Sequence, residues 1–334
     1  MVRTGAYAYV NYGYESSFGG SAGSITNSFG QRTAVSSFTL NHNKMSLGKL
    51  GQVDPTAYAY GTQSGTLGIN FVLGDTTSHN IFKSIYGAAT GAGSSGNPYI
   101  YGSATEGAAN KTLVGSSFTT EIGFNGEDDY LVRTLKGCVT NSLALTTTIG
   151  GTVDCTADIV YGKEDTPSNT SSHFSDDATE NSLPFTFAHG TLKVGSTGTP
   201  ANALVELQDV DLTFTQNSDL LYTIGSQQSV AGIKRSLDIT GRFRQALRSD
   251  DVIDHVFEQL KGTAYKESVG GDVGSGAEFE LFFTNGASSP KTIKVQGYGL
   301  GYNDHSVSGL EPVEPVFEEV NWQIRRAKIT AVNA

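Results

Sequence analysis

Two stretches of this chain ask for a strand that runs straight into a helix, and that unit constrains the fold more than any other feature. In residues 234–262, KRSLDITGRFRQALRSDDVIDHVFEQLKG, Leu237, Ile239, Gly241 and Phe243 alternate with Asp238, Thr240, Arg242 and Arg244. That is the two-residue period of a half-buried strand. Behind it, Ser249 or Asp250 can cap a helix whose apolar stripe is Val252, Ile253, Val256, Phe257 and Leu260, with Gly262 as its stop. In the front half Leu67, Ile69, Phe71 and Leu73 predict a similar strand, followed by a short helix with the stripe Ile81, Phe82, Ile85 and Tyr86 before Gly87.

A chain of 334 residues is long enough for two domains, each burying a core. Its 41 glycines, 15 tyrosines and 16% charged residues favour strands and turns over helices. No apolar run approaches the roughly 18 residues of a membrane-spanning helix. The opening MVRTGAYAYVNYGYE lacks a secretion-signal core, so folding in the cytoplasm is expected. A net charge of −11 argues against a nucleic-acid-binding surface, which needs basic groups. Cys138 and Cys155 flank the Gly150-Gly151 turn of a Thr-rich hairpin, and the register expected there sets Cys155 opposite Thr146. The two thiols are therefore expected to be free and structural.

Taken in order, residues 1–30 read as an extended, aromatic N-terminal arm with strand character only around Tyr7, Tyr9 and Tyr12. Residues 44–65 and 218–232 read as loops. Residues 163–180 hold almost no apolar side chains and predict a polar linker between a first domain at 1–162 and a second at 181–334. The second half repeats the order of the first: residues 38–43, FTLNHN, align with 212–217, LTFTQN, and Asn-Gly pairs at 125–126 and 285–286 follow matching strands. Such self-similarity points to a duplicated unit. The predicted fold class is mainly β: two tandem β-sandwich domains, each with a flanking short helix.

Residues that could carry chemistry are few. Gly19-Gly20-Ser21-Ala22-Gly23 matches a nucleophile-elbow pattern but lies in the arm, without the strand and helix that chemistry needs. Gly297, Gly299 and Gly301 precede no helix and predict a bent strand rather than a phosphate loop. The six histidines are scattered, and the acidic turns at 127–129 and 176–177 lack calcium-loop spacing. No catalytic residue, cofactor or metal is expected. Arg242, Arg244 and Arg248 are expected to form ion pairs between subunits.

Tyr12-Gly13-Tyr14-Glu15-Ser16-Ser17-Phe18-Gly19 resembles the "YGxExxFG" opening of the tail tube (major tail) proteins of long-tailed phages and tailed archaeal viruses. Residues 136–143, KGCVTNSL, resemble that family's "G-x-V-x-N-S-L" strand, and residues 236–243 with the helix behind them extend the likeness over most of the chain. The resemblance implies a β-sandwich assembled into rings that stack into a hollow tube in the virion tail, built in the host cytoplasm. Its partners would be further copies of itself, other tail proteins and the genomic DNA passing through without specific binding. It also implies no catalytic machinery. Tyr7, Tyr9, Tyr12, Tyr14, Phe18, Lys44, Lys49, Tyr58, Tyr60 and Tyr222 become candidates for contacts between rings. Single-domain members resemble one another in closing as six-membered rings, so a duplicated chain is expected to close as a trimer with pseudo-six-fold symmetry; a hexamer is the alternative. Two rival classes are an outer-membrane β-barrel, which needs regular lipid-facing strands, and a secreted carbohydrate-binding or hydrolytic sandwich. Trp322 between Val320 and Ile324 reads as core, which weakens the latter. The tube of a phage-derived injection device is a further alternative.

Overall fold

The structure, a computed structural model, describes residues 8–50, 53–54, 57–87, 89–103, 117–125, 130–168, 183–195, 202–204, 206–246, 278–309 and 315–333. The helix expected at 249–262, with Arg248, lies outside these, as does Tyr7. The described chain is mainly β. Its first half holds β1 (Ala8–Tyr14), β2 (Asn27–Ser28), β3 (Gln31–Leu47), β4 (Ala57–Val72), α1 (Phe82–Tyr86), β5 (Ala89–Thr90) and β6 (Tyr99–Gly102). It ends with β7 (Phe118–Asn125), β8 (Tyr130–Thr148), β9 (Val153–Tyr161) and β10 (Lys163–Glu164). The second half holds β11 (Gly190–Val194), β12 (Asn202–Ala203), β13 (Leu207–Thr215), β14 (Asp219–Leu221), β15 (Ala231–Ile233) and β16 (Asp238–Ala246). Then come β17 (Phe279–Thr284), β18 (Thr292–Ser308) and β19 (Phe317–Val332).

All the strand pairs are antiparallel, and their order repeats. In the first half β3 pairs β4, β4 pairs β9, β9 pairs β8, β8 pairs β7 and β7 pairs β1. In the second half β13 pairs β16, β16 pairs β19, β19 pairs β18, β18 pairs β17 and β17 pairs β11. The irregularities repeat as well. Gly137 of β8 and Gly299 of β18 take left-handed backbone angles, φ 64° and 69°. Four residues further on, the register slips at Asn141 and at Asn303. The bend expected of the glycines in β18 is therefore present.

The halves are joined more closely than a polar linker alone would allow. β8 carries β9 and β10 on one edge; on the other it carries β7 along its first half and β13, from the second half, along residues 142–148. β6 pairs β19 in the same cross-half sense. The reason is burial: Leu212 and Phe214 of β13 have Leu145 and Leu143 of β8 directly opposite, and all four are removed from water in one core shared by both halves. Polar ties add to it. Lys234 reaches the carbonyls of Ser84 and Ile85 at the end of α1, and Gln216 donates to the Ile85 carbonyl at 2.5 Å. Asp75 accepts from the Asn285 amide at 2.8 Å and the Leu183 N–H at 3.2 Å. The start of the expected linker is likewise part of the sheet, since β10 pairs β8 and Glu164 holds Arg133 through two bonds of 2.6 and 2.8 Å.

Local expectations fare variously. The stripe Ile81, Phe82 and Ile85 is buried, and Gly87, at φ 85°, ends α1 by donating to the Lys83 carbonyl. Trp322 is core, its ring centroid 4.4 Å from that of Phe279 and its edge over the bare backbone of Gly241. Both thiols are free and buried. The hairpin register differs by one residue: Cys155 faces Leu145, because three residues, Ile149, Gly150 and Gly151, rather than two, separate the paired strands. A one-residue change in pairing exchanges the faces of a strand, so position 155 sits inside with Val153 and Ala157.

Candidate assembly surfaces

Glu15, within the opening segment, has an internal role. Its buried carboxylate accepts from the N–H of Gly19 at 2.8 Å, the hydroxyl of Thr119 at 2.9 Å and the N–H of Gly137 at 2.8 Å. Tyr12 is fully buried against Phe29 and Phe118, at centroid distances of 4.5 and 5.4 Å. Tyr9 is buried and donates to Glu121, and Tyr14 donates to the Asn80 carbonyl at 2.6 Å. Phe18 packs over Gly137 and Gly232. The described part of the expected arm is therefore a core strand with its following turn. Aromatic richness, which reads as a contact surface in sequence, here supplies cover for the sandwich.

The segment expected as a loop at 44–65 is a two-stranded projection. β3 runs on to Leu47 and β4 starts at Ala57, with Lys44 opposite Tyr60 and Ser46 opposite Tyr58. Lys44 lies over the Tyr58 ring at 3.7 Å, which keeps the flat aromatic face towards the cation. Met45, Leu47, Lys49, Leu50, Val53, Tyr58 and Tyr60 are exposed, and Leu50 and Val53 completely so. Large apolar side chains gathered in water on this hairpin add nothing to the core of the fold. Tyr222 differs from them: it is half-buried and donates to the Gln63 carbonyl at 2.7 Å, while the Gln63 N–H donates to the Gln227 carbonyl. The segment 218–232, which includes β14 and its partner β15, thus braces the base of the hairpin.

Of the arginines, Arg242 is satisfied within its own chain. It meets Asp211 at 2.6 Å, Asp209 at 3.2 Å and Glu319 at 3.2 Å, acids supplied by the strands on either side of β16. Arg244 stacks on Phe317 at 4.4 Å. Both sets of contacts are made within the chain. The sequence signal missed here was the pattern Asp209, Asp211 on the strand that becomes the neighbour.

His79 and the two thiols serve the interior. His79 is buried between Tyr101, 2.8 Å from its Nδ1, and Asn333, 3.0 Å from its Nε2. An amide nitrogen can only donate, so Nε2 accepts, Nδ1 carries the proton and the ring is neutral. Burial holds its pKa down at about 4. Burial likewise pushes the Cys138 thiol up to about 12 and that of Cys155 higher. Among the described residues no three His, Cys, Asp or Glu side chains gather closely enough to hold a metal ion, and no helix is long and apolar enough to cross a membrane. A cleft of about 710 Å³ lies between β1, β7 and the start of β3, lined by Val10, Ile122, Val35, Phe38, Arg32 and Arg133.

A protein-family model described as "Phage tail tube protein" matches residues 5–322. That span takes in the Glu15 turn and the Gly137 strand and ends within β19. No curated protein matches the chain.

Proposed function

The chain belongs to the phage tail tube protein family, and from that premise we propose that it forms rings that stack into the hollow tail tube through which the genome is delivered. The observation that carries the reading furthest is the strand order β3-β4-β9-β8-β7-β1, which recurs as β13-β16-β19-β18-β17-β11 in the same chain. Two copies of one unit, side by side on one sheet, fill two positions of a ring. Three chains then complete it with pseudo-six-fold symmetry. The projecting hairpin at residues 41–63, with Leu50 and Val53 at its tip, is the part that reaches the next ring, and Lys44, Lys49, Tyr58 and Tyr60 are its contact residues. A chain of net charge −11 repels DNA over a screening length of about 8 Å, which lets a genome slide without sticking.

Electron microscopy of the purified protein, with the mass of an isolated ring, tests this. Tubes built of three-chain rings with near-six-fold projections are the expected result. Six chains per ring would retain the tube and remove the duplicated-ring reading. A protein that stays monomeric at high concentration and never forms tubes would remove both.

A further inference from the structure

The junction between the two halves of this chain has a counterpart at the chain's outer edges, and we infer that β18 of one copy accepts β3 of the next in the register that β8 and β13 display internally. The inference rests on the ring reading above and names its in-plane contact.

The equivalence follows from pairing alone. The slips after Thr140 and after Tyr302 make these two residues equivalent. Thr140 faces Ile159 and Tyr302 faces Trp322; Ile159 faces Leu67 and Trp322 faces Gly241; Leu67 faces Phe38 and Gly241 faces Leu212. Phe38 of β3 thus stands where Leu212 of β13 stands, an alignment that the sequences of residues 38–43 and 212–217 give independently. Counting on from Thr140 and Tyr302, Val307 stands where Leu145 stands.

In the internal junction Leu212 faces Leu145, Phe214 faces Leu143 and Thr215 faces Ser142. Transferred to two copies, Phe38 faces Val307, Leu40 faces His305 and Asn41 faces Asp304. Exposure agrees with the transfer. Leu40 is 37% exposed and Val307 39%, whereas their internal equivalents Phe214 and Leu145 are at 0% and 3%. Asp304, Ser306 and Ser308 are exposed too. β18 carries β17 only as far as Gly297, and β3 carries β4 on a single edge; among the described residues no strand but β19, on the opposite edge, pairs at 304–308, and none pairs on the outer edge of β3. Apolar side chains left in water on two strand edges, at positions the same chain buries when those edges meet, fit a second copy of this chain and no smaller ligand.

The test is disulfide trapping in assembled protein. Cys138 and Cys155 are buried and stay in place. The pair Asn41→Cys with Asp304→Cys places two exposed positions opposite each other, and mild oxidation should convert most chains into covalent multimers that stop at three. The pair Asn41→Cys with Val307→Cys, three residues out of register, should link at least tenfold less. A second arm avoids dependence on cysteine placement: Val307→Lys should abolish ring formation while leaving the thermal midpoint of the monomer within about 3 °C of the parent. Tubes visible by microscopy in which the in-register pair does not link, or links no better than the offset pair, would overturn the register and leave the tube reading standing. Absence of rings altogether in the parent protein would defeat both.

Discussion

Gly137 donates its N–H to the carboxylate of Glu15 at 2.8 Å across 122 residues of chain, and that bond joins the two segments by which the sequence most resembles a tube protein. Glu15 is buried and takes two further donors, Gly19 and Thr119, so three hydrogen bonds compensate its desolvation. Glu15→Gln puts an amide in a place where every neighbour is a donor. The expected loss is about 2–4 kcal/mol, read as a lower denaturant midpoint with unchanged slope. A loss under about 0.5 kcal/mol would show that the clamp is dispensable. Gly137→Ala should cost a comparable amount, since φ there is 64° and the new methyl would lie 2.8 Å from the Phe18 ring.

Gly65 and Gly241 occupy corresponding roles, one beneath Tyr161 and the other beneath Trp322. In each case a Cβ would fall inside the van der Waals envelope of a ring that cannot move, because the ring is itself core. Gly241→Ala is expected to destabilise by at least about 2 kcal/mol or to prevent folding, and Gly301→Ala, where the nearest side chain is 3.7 Å away, should be nearly silent. Equal melting temperatures for the two variants would contradict the packing argument.

His79 supplies an acid-side titration. Its pKa is about 4 in the folded chain against about 6.5 unfolded, so between those values the unfolded state binds the extra proton. Its contribution is complete above about pH 6.5 and is lost as pH falls through about 4. The full loss is on the order of 3 kcal/mol. His79→Gln should flatten the stability profile over that window, even if it lowers stability at pH 7. A variant whose pH profile from 7 to 4 parallels that of the parent would show that other groups carry the acid sensitivity.

Both thiols should be silent to an aqueous thiol reagent at pH 8, since burial raises their pKa values and excludes the reagent. Two thiols per chain should appear on denaturation. Rapid labelling of either in the native protein would place that hairpin outside the core.

Much of this architecture was legible in residue order. Alternation marks which side of a strand is apolar, and so the strands around Leu67, Leu143, Phe243 and Trp322, the turn at Gly150, the helix at Phe82 and the core role of Trp322 follow from local pattern. The likeness of residues 38–43 to 212–217 also followed, and the strand register reproduces it. What sequence could not supply is the identity of a strand's neighbour. Side-chain periodicity reports a face, whereas pairing is made by backbone groups that every residue carries alike, so nothing in TTT or DVDL says that β8 receives β13. The same blindness affected the contact residues. Tyr9 and Tyr12 are as aromatic as Tyr58 and Tyr60, and only the tertiary structure decides that the first pair fills a core while the second stands in water on a hairpin. Arg242 was readable as a charge on a strand, but its three acids come from strands distant in sequence, and long-range packing alone brought them within reach.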